Sequence, residues 1–361
     1  MRSVPIGSVR STIRELVAYP IEHERVPVKL DANELGFDLP SGLAAAVQSA
    51  LSRIDLRRYP EGHADSLTET VAREWHVAAE SVLVGNGSNE MIALTFAAFG
   101  GDGADGRAPA VVLPTPSFGV YPIQARTHGF EVVSCPLDER FELDPERVLD
   151  ATRRHRARLV VLASPNNPTG NAFQRVSIER ILDGFDGPVV VDEAYQPFAT
   201  ESWLGRWDRW PNLLVLRTLS KVGLAALRVG FLFADPRLTA ELRKAKLPFN
   251  LNSMSAAVAR VALDAWSDLE AVAQGVIAER RRLQEALSRL GTLEVFPSEA
   301  NFLLVRVPGD ANQLWSRLLE RGISVRNFSA KAGLAGCLRI TVGRPHENDQ
   351  LIASLGELLA P

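Results

Sequence analysis

Short, wholly apolar runs punctuate the first two thirds of the chain, at residues 82–84, 111–113, near 132, 159–162, 189–191 and 213–216. Each is of strand length and gives way to a cluster of glycine or polar residues, the pattern of strands buried on both faces of a parallel sheet. Helix-length segments separate the runs from 111 to 213, and that rhythm predicts an α/β, doubly wound, mostly parallel sheet. Helices are expected at 41–51, with Leu43, Val47 and Leu51 on one face, at 65–75, and at 91–99, which is apolar nearly all round and therefore buried. Before them, Ser11 reads as the cap of a short helix that stops at Tyr19-Pro20, and residues 28–30 as a brief extended piece ending an arm.

After Pro248-Phe249-Asn250 the pattern changes. Helices are expected at 253–266 and 269–290, the second with a charged face built from Glu279, Arg280, Arg281 and Arg282. A strand at 301–307, a helix at 312–321 and a strand at 323–325 follow. Leu338, Ile340 and Val342 alternate with Arg339 and Thr341, so Arg339 points away from the apolar face. The 361 residues thus divide into an arm (1–30), a large domain (31–250) and a smaller α+β domain (251–361), in keeping with a chain too long for one core.

A net charge of −3 argues against a nucleic-acid surface or an attraction to membranes. Cys135 and Cys337 are the only cysteines, too few for a disulfide framework and suited to a reducing compartment. No apolar run approaches the roughly 18 residues that span a bilayer, and the N-terminus lacks an export pattern, so a cytoplasmic protein is expected. The basic run at 153–158 reads as a solvated helix end.

The chemistry lies where strands end. The run at 159–162 leads into Ser-Pro-Asn-Asn-Pro-Thr-Gly (164–170), the run at 189–191 into Asp192-Glu193-Ala194-Tyr195, and the run at 213–216 into Thr218-Leu219-Ser220-Lys221, with Arg228 seven residues beyond the lysine. An asparagine, an aspartate with a tyrosine, and a lysine are thereby delivered to the carboxyl edge of one sheet, where open α/β sheets bind ligands. After residues 82–84, Gly85-Asn86-Gly87 and a buried helix leave free backbone N–H groups at Ser88 and Asn89, a site for phosphate. Glu90 stands where a dinucleotide fingerprint needs glycine, and alone the turn serves equally as a plain tight turn. Phe118 is either core filler or a plate for a flat ring. One cofactor uses the whole set, pyridoxal phosphate: a lysine for its aldehyde, a carboxylate for its pyridine nitrogen, donors for its ring oxygen and a cradle for its phosphate. Singly, Asp192 reads as a helix cap and Lys221 as a surface charge; the conjunction outweighs both readings.

Ser-Pro-Asn-Asn-Pro-Thr-Gly, Val-Asp-Glu-Ala-Tyr (191–195), Thr-Leu-Ser-Lys (218–221) and Leu-Arg-Val-Gly (227–230) resemble the fold-type I aminotransferases. Leu-Asp-Ala-Asn-Glu (30–34), Arg-Tyr-Pro (58–60), Gly-Asn-Gly-Ser-Asn-Glu (85–90) and Cys-Leu-Arg-Ile-Thr-Val-Gly (337–343) resemble, more narrowly, the histidinol-phosphate aminotransferase branch. The resemblance, in order from about 11 to 343, implies a pyridoxal-phosphate enzyme of histidine biosynthesis. Its reaction turns L-histidinol phosphate and 2-oxoglutarate into imidazole acetol phosphate and L-glutamate. It implies Lys221 as the cofactor's lysine and proton shuttle, Asp192 on the ring nitrogen, Asn167 and Tyr195 on the ring oxygen, and Phe118 stacked on the ring. Ser88, Asn89, Thr218, Ser220 and Arg228 are implied around the phosphate; Arg339, Arg326, Asn167, Tyr19 and Tyr59 around the substrate. Tyr59 serves the neighbouring subunit in that family, which implies a homodimer.

Three departures stand out. Lys221 and Arg228 are seven residues apart where many relatives have eight, Asn89 replaces an acidic residue, and Leu35-Gly36-Phe37-Asp38 replaces an Asn-Pro-Tyr-Gly entrance loop. Threonine-phosphate decarboxylase or a broad aromatic aminotransferase on the same fold is the alternative. A DNA-binding regulator is disfavoured by a short, non-basic arm, and a metal hydrolase by six histidines without ligand spacing.

Overall fold

The computed structural model describes residues 5–18, 26–101 and 106–360. The chain runs through α1 (Ser11–Arg14), β1 (Val28–Leu30), α2 (Ser41–Leu51), α3 (Asp65–Glu74), β2 (Val82–Asn86), α4 (Gly87–Phe99), β3 (Ala110–Thr115), α5 (Val120–Thr127) and β4 (Glu131–Pro136). It continues through α6 (Pro145–His155), β5 (Ala157–Ala163), α7 (Arg175–Gly184), β6 (Val189–Asp192), β7 (Leu213–Thr218), β8 (Val229–Phe233) and α8 (Pro236–Ala245). The last third holds α9 (Ser253–Asp264), α10 (Trp266–Arg289), β9 (Glu294–Val295), β10 (Phe302–Arg306), α11 (Ala311–Glu320), β11 (Ile323–Asn327), β12 (Cys337–Thr341) and α12 (Pro345–Leu358).

Seven strands form the larger sheet in the order β2-β8-β7-β6-β5-β3-β4. All but the edge strand β4, which exposes Glu131, Ser134 and Pro136, are buried on both faces along most of their length, as their apolar runs require. Val189, Val191, Leu213 and Val215 enter one core with Ile178 and Ile181 of α7; Val190, Leu214 and Leu216 enter the other with Met91 and Phe96 of α4. The sheet is parallel except for β8, which runs antiparallel to β2 and β7. Sequence analysis took 227–230 as a motif and missed this strand, although Phe231, Leu232 and Phe233 are an apolar run of the same kind. Helix α4 starts at Gly87, four residues earlier than its apolar stretch suggests, and Leu51 at the end of α2 is exposed rather than packed.

The second sheet has the order β1-β11-β12-β10-β9. Residues 28–30, the extended piece at the end of the expected arm, pair in parallel with β11 and so form an edge of this sheet. Its core lies against α10, α11 and α12 through Val276, Leu283, Leu314, Leu318, Leu351 and Leu355. Tyr195 and Phe198, which follow β6 of the larger sheet, are members of the same core. The charged face expected on α10 is partly internal. Glu279 is buried and accepts from Arg282 and Asn348; Arg280 is buried with Nη1 donating to the carbonyls of Ala300 (2.7 Å) and Phe198 (3.3 Å). In the basic run at 153–158, Arg154 pairs with Asp150 on the α6 surface, as expected, whereas Arg158 holds the carbonyls of Phe99 and Gly100. Among the described residues no helix is long and apolar enough to cross a membrane.

Strand β8 presses on the start of α4. A Cβ on Gly230 would lie 2.2 Å from the Ser88 amide nitrogen and 2.3 Å from the Gly87 carbonyl carbon, both main-chain atoms that no rotamer change can move. Gly230→Ala is therefore expected to lower stability by about 2–3 kcal/mol. Urea denaturation of the cofactor-free chain measures this; a loss below about 0.5 kcal/mol, the level of an ordinary surface substitution, would mean that α4 yields without cost.

Candidate active site

Strands β5, β6 and β7 are adjacent and parallel, with Ala163 opposite Asp192 and Asp192 opposite Leu216. Because the three end level, the segments leaving them meet at one place. A cavity of about 350 Å³ there is lined by Asn167, Asp192, Tyr195, Lys221, Thr218 and Ser220, and also by Ser88, Asn89, Phe118, Arg228, Arg326 and Arg339. Twelve of the fourteen side chains singled out from sequence are thereby brought together. Tyr59 is not among them: it is 84% exposed and packs on Phe249 at 5.2 Å between ring centroids. Tyr19 lies outside the described residues.

Lys221 is placed by a 3-10 turn over Ser220–Val222 that follows directly from β7. Gly223 then takes a left-handed conformation (φ 93°), a second 3-10 turn covers Ala225–Leu227, and Arg228 is left-handed (φ 54°). Two tight turns and two left-handed residues are how seven residues bring the chain from the lysine back to β8. Across the cavity, α4 emerges straight from β2 with no side chain capping its N-terminus. Its first amides and the positive end of its dipole attract an anion. Arg228 Nη1 donates to Ser220 Oγ at 3.3 Å, and Thr218 Oγ1 donates to Ser220 Oγ at 2.9 Å. A Cβ on Gly87 would lie 2.6 Å from Arg228 Nη2, so only glycine lets the guanidinium approach this turn.

Asp192 is buried, with Oδ2 accepting from the Tyr121 hydroxyl (2.8 Å) and Oδ1 from the Ala194 amide (3.0 Å). Burial pushes its carboxyl up to about 6 while those two donors pull it down, so it remains ionised at neutral pH. Lys221 is brought down to about 8, chiefly by burial and then by the Arg339 guanidinium; Glu34 and Asp192 act the other way. Its Nζ sits 5.5 Å from the centroid of the Tyr195 ring. Arg339 does point away from the apolar face of β12, as the alternation requires. Nη1 donates to Asn167 Oδ1 (2.7 Å) and Nη2 to the Asp31 carbonyl (2.6 Å). With Oδ1 of Asn167 so committed, Nδ2 is the side left to donate. Arg326 is the register partner of Arg339 across β11 and β12, which sets two guanidinium-bearing side chains on one wall.

Two residues that touch this set carry no distinct mark in the sequence. Tyr121 stands three residues after Phe118, and nothing in the sequence marks its link to Asp192. Asn33 stood in the Leu-Asp-Ala-Asn-Glu stretch with no role of its own, yet it is 1% exposed and donates from Nδ2 to the Tyr195 hydroxyl at 2.8 Å. The entrance loop that departs from the family pattern is fixed by contacts of its own. Arg344 Nε donates to the Gly36 carbonyl (2.6 Å) and its Nη2 pairs with Asp38, while Leu35 and Leu39 crowd Gly223 behind the lysine.

Residues 25–355 match the family model described as aminotransferase class I and II. The chain is 42% identical over 351 residues to a protein named histidinol-phosphate aminotransferase 1 of Ralstonia nicotianae, covering 95% of this chain and 92% of the relative. It is 40% identical over 358 residues to histidinol-phosphate aminotransferase 2 of Cupriavidus pinatubonensis, covering 97% and 96%. The fold is similar to the crystal structure of histidinol-phosphate aminotransferase from Sinorhizobium meliloti in complex with pyridoxal-5'-phosphate, with TM-score 0.82, 26% identity, and 92% and 91% of the two chains covered. It is also similar to L-threonine-O-3-phosphate decarboxylase from Porphyromonas gingivalis, with TM-score 0.79, 26% identity, and 92% and 99% covered.

The electrostatics make Lys221 stand out among five lysines. In the cofactor-free chain, dinitrophenylation of Lys221 followed by peptide mapping should titrate with a midpoint at about 8. Arg339→Gln removes a neighbouring cation, which favours the ammonium, so that midpoint should move upward. A midpoint near the ordinary lysine value of ~10.4 in both chains would show that neither burial nor Arg339 acts on the amine.

Proposed function

Since the chain belongs to the class I and II aminotransferases, we propose that it uses pyridoxal phosphate to move an amino group from L-histidinol phosphate to 2-oxoglutarate, a step of histidine biosynthesis. The observation that carries this reading is a single cavity holding Lys221 and Asp192 together with the register pair Arg326 and Arg339. The residues fit the cofactor on their own chemistry: an uncapped helix start, two hydroxyls and an arginine for a phosphate, and a buried carboxylate opposite a lysine of lowered pKa. When bound, pyridoxal phosphate supplies an aldehyde carbon and an electron-withdrawing ring.

The protein's own groups do the rest. Asp192, held ionised by Tyr121 and Ala194, would keep a ring nitrogen protonated. Asn167 Nδ2 and the Tyr195 hydroxyl would donate to the ring oxygen, and Phe118 would flank the ring. A lysine brought down to about 8 would be unprotonated often enough near neutrality to hold the aldehyde, and its released Nζ would take and return the substrate's α-proton. Arg326 and Arg339 would take the phosphate of histidinol phosphate and, in the second half of the cycle, a carboxylate of 2-oxoglutarate or glutamate. Tyr19 belongs to this reading as a substrate contact. We assign residues 31–250 to a large cofactor-binding domain and 251–361 to a smaller one. The two buried free cysteines fit a cytoplasmic setting.

A panel of histidinol phosphate, phosphothreonine and phenylalanine, with 2-oxoglutarate, tests the reaction. Glutamate formation from histidinol phosphate is expected; loss of CO₂ from phosphothreonine in its place would assign the chain to the decarboxylases. Arg326→Ala should cost the phosphorylated substrate about ten- to a hundred-fold in kcat/KM, the worth of one charge-assisted hydrogen bond, and carboxylate substrates far less. Equal losses would make Arg326 structural.

Assembly is part of the same proposal. Tyr59 is exposed beside Phe249, with Leu56, Leu247 and Met254 also exposed on the described surface. We infer a two-fold dimer in which Tyr59 completes the neighbouring cavity. Lys221→Ala and Tyr59→Ala chains, unfolded together and refolded, should return about 25% of wild-type activity, since half of the dimers then hold one intact site of two. Recovery no greater than the mean of the two parents would sink the shared site.

A further inference from the structure

We propose that Asn33 is a positioning residue: it sets the direction in which the Tyr195 hydroxyl donates and ties that direction to the second sheet. This rests on the functional reading above, in which Tyr195 donates to the cofactor's ring oxygen. Asn33 Nδ2 is the one hydrogen-bond partner of the Tyr195 hydroxyl among the described residues. A phenolic oxygen has one proton to give and lone pairs to receive. With Asn33 donating into it from the side of the second sheet, the hydroxyl proton is turned the other way, into the cavity that Lys221 and Asn167 line.

The orientation of the Asn33 amide is itself dictated. The Asn33 main-chain N–H donates to Thr341 Oγ1 at 3.0 Å, so the Thr341 hydroxyl must spend its proton elsewhere, and it does so on Asn33 Oδ1 at 3.2 Å. An amide flipped by 180° would set its NH₂ against that hydroxyl proton and its oxygen against Tyr195. The Asn33 carbonyl accepts from Asn301 Nδ2 at 3.1 Å, so every polar group of the residue is engaged. Its backbone is left-handed, with φ 54°, a conformation that asparagine and glycine adopt more readily than other residues. Thr341 lies on β12 and Asn301 just before β10, both in the second sheet, while Tyr195 follows β6 of the first. Asn33 thus spans the two sheets through hydrogen bonds.

The charged and titratable groups facing Tyr195 are Arg339 from β12, Asp192 from β6, Lys221 beyond β7 and Tyr121 from α5. None of them hydrogen-bonds its hydroxyl, which leaves direction to Asn33. A hydroxyl aimed at the ring oxygen stabilises that oxygen's anionic form and so lowers the pKa at which the bound chromophore loses its proton. A misdirected hydroxyl raises it.

The test is a pH titration of the visible absorbance of bound pyridoxal phosphate, with cofactor affinity measured by fluorescence quenching and cofactor-free chains melted in parallel. Asn33→Gly keeps the left-handed backbone and removes the donor; it should raise the apparent pKa by roughly half a unit to one unit, the worth of one hydrogen bond. Thr341→Val frees the amide to flip and should move the pKa the same way, while Thr341→Ser restores the parent value. In a Tyr195→Phe background Asn33→Gly should add nothing. The inference is overturned if Asn33→Gly and Thr341→Val bind the cofactor but leave the pKa unmoved, a lowered melting temperature alone marking a structural role. It is equally overturned if Asn33→Gly shifts the pKa as much without the tyrosine hydroxyl as with it. A parent chain that takes up no pyridoxal phosphate would remove the functional reading instead, and the inference with it.

Discussion

Lys221 and Arg339 are two of the four cations that line one cavity, and Asp192 and Glu34 oppose only part of the effect of burial and of Arg339 on the lysine. Like charges brought this close in a medium less polar than water repel, and each also loses hydration. The fold tolerates this because neither cation is left to find its own place. Arg339 is held by the Asp31 carbonyl and by Asn167, and Lys221 by a 3-10 turn that closes on the left-handed Gly223. The result is an amine poised near neutrality. A site of this kind is paid for by stability generated elsewhere, here by a seven-stranded sheet whose inner strands are buried on both faces.

That dependence explains which features could be read from the residue order. The level ends of β5, β6 and β7 follow from apolar runs that stop at polar clusters, and both halves of that pattern are local. Arg339 was legible for a similar reason, since strand alternation fixes a side chain's face without knowledge of what it faces. Strand β8 was obscured because Arg228 immediately precedes it and Gly230 is its second residue, and a recognisable motif drew attention from the apolar run behind it. The contacts of Tyr121 and Asn33 were not legible. Each acts through a partner more than 70 positions away, and neither the type nor the spacing of the residue encodes that meeting. Arg280 misled in the opposite sense: a charged side chain on a helix reads as solvated, yet its fork is satisfied by two carbonyls in the interior.

The two sheets do not meet across a simple plane. Tyr195 and Phe198 leave the larger sheet and pack in the core of the smaller, where Tyr195 lies edge-on to Phe302 at 5.1 Å. Arg280 fastens the same turn through the Phe198 carbonyl, and Glu299 accepts from the amide and hydroxyl of Thr200. Relative movement of the sheets would disturb this turn first.

The membership of Tyr195 in that second core has a bearing on mutation. A side chain that lines the cavity is at the same time a member of one core with Val276, Leu338 and Ile340. Packing errors there need not unfold the protein to silence it; a tilt of one ring suffices. Substitutions in the core of the second sheet are therefore felt at the cavity as well as in folding.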